Sequence, residues 1–187
     1  MRFVTKQKIL HAFNELVQTN DFSSVTVSLI AKQAGVSHAT FYRYFKDKYE
    51  VMNYNFALLV EDSLDPDSDH FLLDLFRALL IEGKEYFSPL ISLFTTEGHN
   101  SLHRFICEYS FSFAKNLYET GDPFSSEHPY RSLSKEETIQ LQIFCYGVSH
   151  FYEEWLKGNY DIPASQAAAA MYAILPAVLH GPLRKDR

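Results

Sequence analysis

Apolar residues recur at three- and four-residue spacing along most of the chain, and strict alternation is nowhere sustained. The pattern predicts an all-α chain of about nine helices. The densest signal lies at Thr26–Phe45. Thr26 suits an N-cap, because its hydroxyl can accept a bond from an unpaired backbone N–H. Val27, Ile30, Ala31 and Ala34 then share one face, Gly35 permits the left-handed turn that ends a helix, and Ser37 caps a new one. So short a turn forces the second helix to cross the first steeply, as in a helix-turn-helix. Phe41 and Phe45, four apart, share a packing face against Ile30 and Ala34, which leaves the polar and small side chains between them for other faces.

The remaining elements follow from caps and breakers. Thr5 caps a first helix to about Asn20, with Ile9, Phe13, Leu16 and Val17 inward. Asp47 caps a fourth to about Asp62, with Val51, Tyr54, Leu58 and Leu59 inward. A fifth spans His70–Phe87, a short sixth Pro89–Thr96, and a seventh Ser101–Thr120, closed by Gly121. Asp122–Leu133 holds two prolines and reads as a loop. Ser134-x-x-Glu137 is a capping box that opens an eighth helix to Lys157, stopped by Gly158. A ninth runs from Pro163 to about His180, with Pro176 set to kink it or end its hydrogen bonding early. The acidic run from Glu61 to Asp69, with Pro66 at its centre, marks the boundary between a head with its linking helix (residues 1–60) and a helical body (residues 61–187).

Charge changes the picture more than composition does. The chain of 187 residues carries −6 overall, which excludes any argument for nucleic-acid binding from total charge. Yet residues 1–60 hold seven Lys/Arg against four acids, a net of +3, so the rest carries −9. A basic head on an acidic body suits a protein whose head meets phosphate. Cys107 and Cys145 sit in apolar helical patterns without metal-type spacing and read as reduced thiols. With no signal-peptide pattern and no apolar run of about 18 residues, the reading is a cytoplasmic protein that does not span a membrane.

The exposed faces of the second helix of the pair present Ser37, His38, Thr40, Tyr42 and Arg43. These are hydrogen-bonding side chains on a rod that fits a DNA major groove. Thr26 is a further candidate for phosphate. The stretch AKQAGVSHATFYRYFKDKYEV resembles the DNA-binding signature of TetR-like transcriptional regulators. The shared positions are Ala34, Gly35-Val36-Ser37, Phe41-Tyr42-Arg43-Tyr44-Phe45 and Lys48. The resemblance covers about the first 55 residues; the rest is similar only in helical content and length. It implies a three-helix head, a linking fourth helix and a body that serves regulation and dimerisation. It also implies that Lys48 meets phosphate. No cofactor is expected.

For the body, two readings of its 19 aromatic residues stand side by side. They fill the core, or, as the resemblance implies, some of them line a pocket for a small apolar or aromatic effector. The candidates are Phe76, Phe87, Phe94, Phe105, Tyr109, Phe113, Tyr146 and Tyr152. In such regulators the last two long helices form a dimer interface. Stripes containing Phe144, Gly147, Phe151 and Trp155, and Ala170, Ile174 and Val178, fit that role. A dimer also suits a palindromic double-stranded DNA operator, since one short helix reads only a few base pairs. His99 and His103 are four apart but lack a third ligand nearby in sequence, so no metal is assigned. No catalytic motif occurs. The expected function is a homodimeric, ligand-responsive repressor. The alternatives are an activator controlled by a protein partner through the body, or an all-helical enzyme or carrier.

Overall fold

The computed structural model describes residues 2–65, 68–88, 90 and 102–180. Of the expected sixth helix only Leu90 is among them; Phe94, His99 in the turn after that helix, Pro66 and the tail from residue 181 lie outside. Eight α-helices and no strand occur among the described residues, close to the count expected from the sequence. They are α1 (Arg2–Thr19), α2 (Val27–Gln33), α3 (His38–Tyr42), α4 (Lys48–Asp62), α5 (Phe71–Phe87), α6 (Leu102–Thr120), α7 (Lys135–Leu156) and α8 (Ala164–Ala173). Single 3-10 turns at Phe22–Ser24 and Ala177–Leu179 follow α1 and α8.

Local chemistry sets these boundaries. Thr26, Ser37, Asp47 and Ser134 each accept the backbone N–H three residues on, at the starts of α2, α3, α4 and α7. At α7 the box is complete, since Glu137 also accepts the Ser134 N–H at 2.8 Å. Gly35, Gly121 and Gly158 take positive φ just beyond α2, α6 and α7.

Three expectations need correction. Thr5 is not a cap, because α1 already begins at Arg2. The inward face of α4 is Val51, Met52, Asn55, Phe56 and Val60, while Tyr54, Leu58 and Leu59 are only half-buried. The last helix stops at Ala173 rather than His180. Pro176 has no N–H to continue the ladder, and its ring disfavours helical geometry in the residue before it, so the chain leaves the helix ahead of it.

One apolar cluster runs from Ile9, Phe13, Phe41 and Phe45 in the head to Leu141, Trp155 and Met171 in the body. Phe56 of α4 joins the two regions, its ring 5.9 Å from that of Phe87 and 5.6 Å from that of Tyr109. In the body α6 packs along α7, and α5 along α8.

Candidate nucleic-acid interface

The head is built to hold α3 outward. Phe41 and Phe45 are buried on its inner side, along with Ile30 and Ala31 of α2 and Phe13 and Val17 of α1. The turn between α2 and α3 is closed by two bonds, Gly35 N–H to the Lys32 carbonyl at 3.2 Å and Val36 N–H to the Ala31 carbonyl at 2.9 Å. Gly35 has φ +65, and a methyl group added there would meet nothing within 4 Å. Conformation rather than space therefore calls for glycine at this position.

With the phenylalanines inward, His38, Ala39, Tyr42 and Arg43 are exposed along α3 and its C-terminal end. Tyr42 packs its ring edge-to-face on Phe41, 5.6 Å away, which fixes its direction. Ser37 caps α3 through its Oγ, 3.1 Å from Thr40 N, and the two hydroxyls lie 3.0 Å apart. Thr26 likewise accepts from Leu29 N at 3.2 Å. In its cap bond the Thr26 hydroxyl only accepts, so its own proton stays available to a phosphate oxygen, whereas one proton of the Ser37–Thr40 pair is donated within the pair. The structure thus gathers Ser37, His38, Thr40, Tyr42 and Arg43 on one short helix, with Thr26 at the start of the helix before it.

Lys48 has other partners than the resemblance implies. Its ammonium donates to the carbonyls of Phe22 and Val25, both at 2.7 Å, and reaches Ser23 O at 3.5 Å. It also lies 4.2 Å over the Phe22 ring. Burial lowers its pKa from the ordinary lysine value. The group pins the turn that leads from α1 into Thr26 and α2. Lys6 is similarly engaged, 3.4 Å over the Tyr54 ring. Among the described side chains, the exposed cations of the head are instead Lys8, Lys32, Arg43 and Lys46. Lys46 directly follows the buried Phe45 and was not among the contacts expected from sequence. Its nearness to the exposed end of α3 was the available signal.

In the body, the residues proposed for a pocket divide. Phe87 is buried, and Phe105 and Tyr109 pack on Phe56 and, 5.6 Å apart, on each other. Phe76 and Phe113 are also buried, and the Tyr152 hydroxyl is spent on the Leu79 carbonyl at 3.1 Å. Burial pushes the Tyr109 hydroxyl up to about 12, with a smaller contribution from the charge of Glu61. Tyr146 is 46% exposed and lines nothing in the interior, contrary to its assignment. α7 turns Tyr146 away from the helices it packs on.

The residues proposed for a dimer face also divide. Phe144 and Trp155 point into this chain's own core, and the Trp155 indole donates to the Ile162 carbonyl at 3.0 Å. Phe151 and Val178 are half-buried, and Gly147, Ala170 and Ile174 are exposed. What α7 and α8 leave uncovered is a different apolar surface. On α7 it is Ile139, Ile143, Tyr146 and Gly147; on α8 and just beyond it, Ala169, Ala170, Ala173 and the capping Ile174. Ile143 is 69% and Ile174 64% exposed. Among the described residues, no helix is long and apolar enough to cross a membrane.

Residues 9–54 match the family described as bacterial regulatory proteins, tetR family. Over 66 residues the chain is 33% identical to the HTH-type dhaKLM operon transcriptional activator DhaS of Lactococcus lactis subsp. lactis. That stretch is 33% of this chain and 35% of the relative, so the match spans about a third of that protein's length. Three solved structures share the fold at low identity. The dihydroxyacetone kinase operon activator DhaS has a TM-score of 0.61 at 17% identity, covering 92% of this chain and 94% of its own. The TetR family repressor AlkX from a Dietzia strain gives 0.56 at 21%, covering 91% and 96%. Thermus thermophilus FadR, a TetR family transcriptional repressor in complex with lauroyl-CoA, gives 0.54 at 19%, covering 97% of each chain. The outward helix, its buried aromatic anchors and the match over residues 9–54 agree: the head of this chain is similar to the DNA-binding region of the tetR family of bacterial regulatory proteins.

Proposed function

We propose that this protein is a transcription regulator that binds a two-fold DNA operator as a homodimer, with α3 of each copy in a major groove. The observation that carries the reading is the arrangement of α3. Phe41 and Phe45 fix its inner side, and His38, Thr40, Tyr42 and Arg43 occupy the outer one. Arg43 has the geometry to bond guanine or hold a phosphate, and Tyr42 offers a hydroxyl and a ring to backbone or thymine methyl. Contacts to phosphate come from Thr26, Ser37 and the exposed lysines of the head, and they set register without reading sequence. A basic head on an acidic body keeps the body away from the duplex.

Sequencing the DNA fragments that the purified protein selects, followed by anisotropy titration on the selected site, tests the reading. Binding should weaken steeply with salt, in proportion to phosphates neutralised. Binding that ignores salt, or no selected sequence, would refute it.

For control of the head, one observation favours a protein partner over a small apolar effector. The rings of Phe56, Phe87, Phe105 and Tyr109 lie against one another, where an effector would need room between them. The partial sequence similarity to DhaS, named as a transcriptional activator, supports activation as the sign of that control. The ligand-responsive repressor remains the rival reading, consistent with AlkX and FadR as neighbours. Transcription from the selected promoter with and without the protein separates the two, rising for an activator and falling for a repressor.

A further inference from the structure

Outside the head, three residues of metal-ligating type converge where α6 lies along α7. His103 comes from α6, while His150 and Glu153 stand three apart on one face of α7. One donor atom from each lies within 4.8 Å of the other two. His103 Nδ1 is 2.6 Å from Glu153 Oε2, and the two imidazole rings meet edge-to-face at 6.1 Å.

An ordinary His–Glu ion pair accounts for this poorly. The contact is close but badly directed, so that the buried His103 Nδ1 makes no proper hydrogen bond. Nor does an ion pair call for a second imidazole beside it. Glu153 is 5% exposed, and its other oxygen, Oε1, is held by Lys157. The Lys157 charge is offset by Glu154, whose Oε1 lies 3.0 Å from the same ammonium. A carboxylate oxygen is thereby fixed in the interior, facing two ring nitrogens. One turn along α6, Cys107 places its sulfur 3.6 Å from the Nε2 of His103 and steadies that ring.

We propose that His103, His150 and Glu153 form a binding site for a borderline divalent transition-metal cation such as Zn2+, Co2+ or Ni2+, which clips α6 to α7. Two imidazoles with one carboxylate select this class, whereas Ca2+ and Mg2+ require mostly oxygen donors. Ligand bonds of about 2.0–2.1 Å in tetrahedral geometry put donors roughly 3.3 Å apart, which small side-chain rotations reach from the present separations. Three protein ligands leave a fourth position for water at the exposed His150 edge. The sequence hid this set, because its members are 47 and 50 residues apart and the only helical histidine spacing it offered was His99 with His103.

The full chain, stripped with a chelator, is titrated with Zn2+ against a chromophoric competitor. Wild type should bind one equivalent that His150→Ala and His103→Ala each weaken by at least about 10-fold. His128→Ala, which removes an exposed histidine of the loop after α6, should leave binding unchanged. Because His150 is exposed, its replacement should leave the helical circular dichroism intact, so that lost binding is not lost folding. Zn2+ should also raise the melting temperature of wild type but not of His150→Ala. Failure to bind one equivalent, or binding that His150→Ala leaves at wild-type strength, would overturn the proposal.

Discussion

Replacing Lys48 by methionine separates two jobs that its ammonium could do. The stem and its packing remain, while the bonds to the Phe22 and Val25 carbonyls go. Hydrogen bonds from a charged group contribute about 1.5–3 kcal/mol, and partial exposure puts this loss near the lower end. We therefore expect urea denaturation to show a loss of about 1.5 kcal/mol. The slope of log affinity against log salt should stay as in wild type. Were the ammonium neutralising a phosphate, that slope would drop by roughly 0.9 instead. Arg43→Ala should do the opposite, keeping stability and changing DNA affinity, since its side chain is exposed beyond the end of α3. At Gly35 the cost of alanine is purely conformational, about 1 kcal/mol, because the added methyl group meets no neighbour.

At the scale of elements, α5 and α7 are fitted to each other at one point. A methyl group added at Gly83 would fall 1.9 Å from the Tyr152 hydroxyl oxygen, which is bonded to the Leu79 carbonyl. Gly83→Ala should destabilise by about 1–3 kcal/mol, as overpacking does. In a Tyr152→Phe background the clashing oxygen is gone, and the nearest ring atom lies 3.1 Å away. The second substitution should then cost less than it does alone, a coupling that a double-mutant cycle by thermal melting measures. The start of α7 supplies a pH dependence. Glu137 has its pKa lowered from 4.5, first by the Ser134 backbone N–H and then by the Ser134 hydroxyl. A carboxyl depressed in the folded state stabilises it above the unfolded value and loses that effect as pH falls through the folded one. The melting-temperature gap between wild type and Glu137→Ala should accordingly narrow below about pH 4.5.

These elements were largely readable because their signals are local. Thr26, Ser37, Asp47 and Ser134 each act within three residues, and the glycines act where they stand. Contacts that close over long loops were not readable. The Lys48 clasp spans 23 to 26 residues, and nothing near Lys48 in sequence announces it. On α7 the difficulty was different. Two faces are apolar, one carrying Phe144 and Trp155 and the other Ile139 and Ile143, and periodicity cannot say which meets the chain's own core.

Across the whole molecule, head and body are joined by a small polar knot. Asn14 Oδ1 of α1 accepts both from Asn55 Nδ2 of α4 and from the Tyr86 hydroxyl of α5, each at 3.0 Å. Asn55 is buried, and burial pushes the Tyr86 hydroxyl far above the usual tyrosine range. Asn14→Ala strips two donors of their shared acceptor and should cost about 1–3 kcal/mol. If the knot carries changes in the body to the head, and control runs through a protein partner as proposed, the same substitution should leave DNA binding in place but blunt its response to that partner. At this scale the exposed isoleucines make a further prediction. If the proposed homodimer forms through them, Ile143→Glu should preserve the helical signal yet shift the protein to a single-chain mass in sedimentation, with a parallel loss of affinity for the full two-fold site.

Were that exposed surface the meeting face of the proposed homodimer, it would shape how a cell experiences the protein. If two copies must meet through Ile143 and Ile174 before either is held firmly on DNA, occupancy while single chains predominate grows with the square of their number. Halving expression would then empty about three quarters of the weakly filled sites rather than half. Two side chains, one on the outside of α7 and one at the end of α8, would thus set the dosage at which such a switch begins to act.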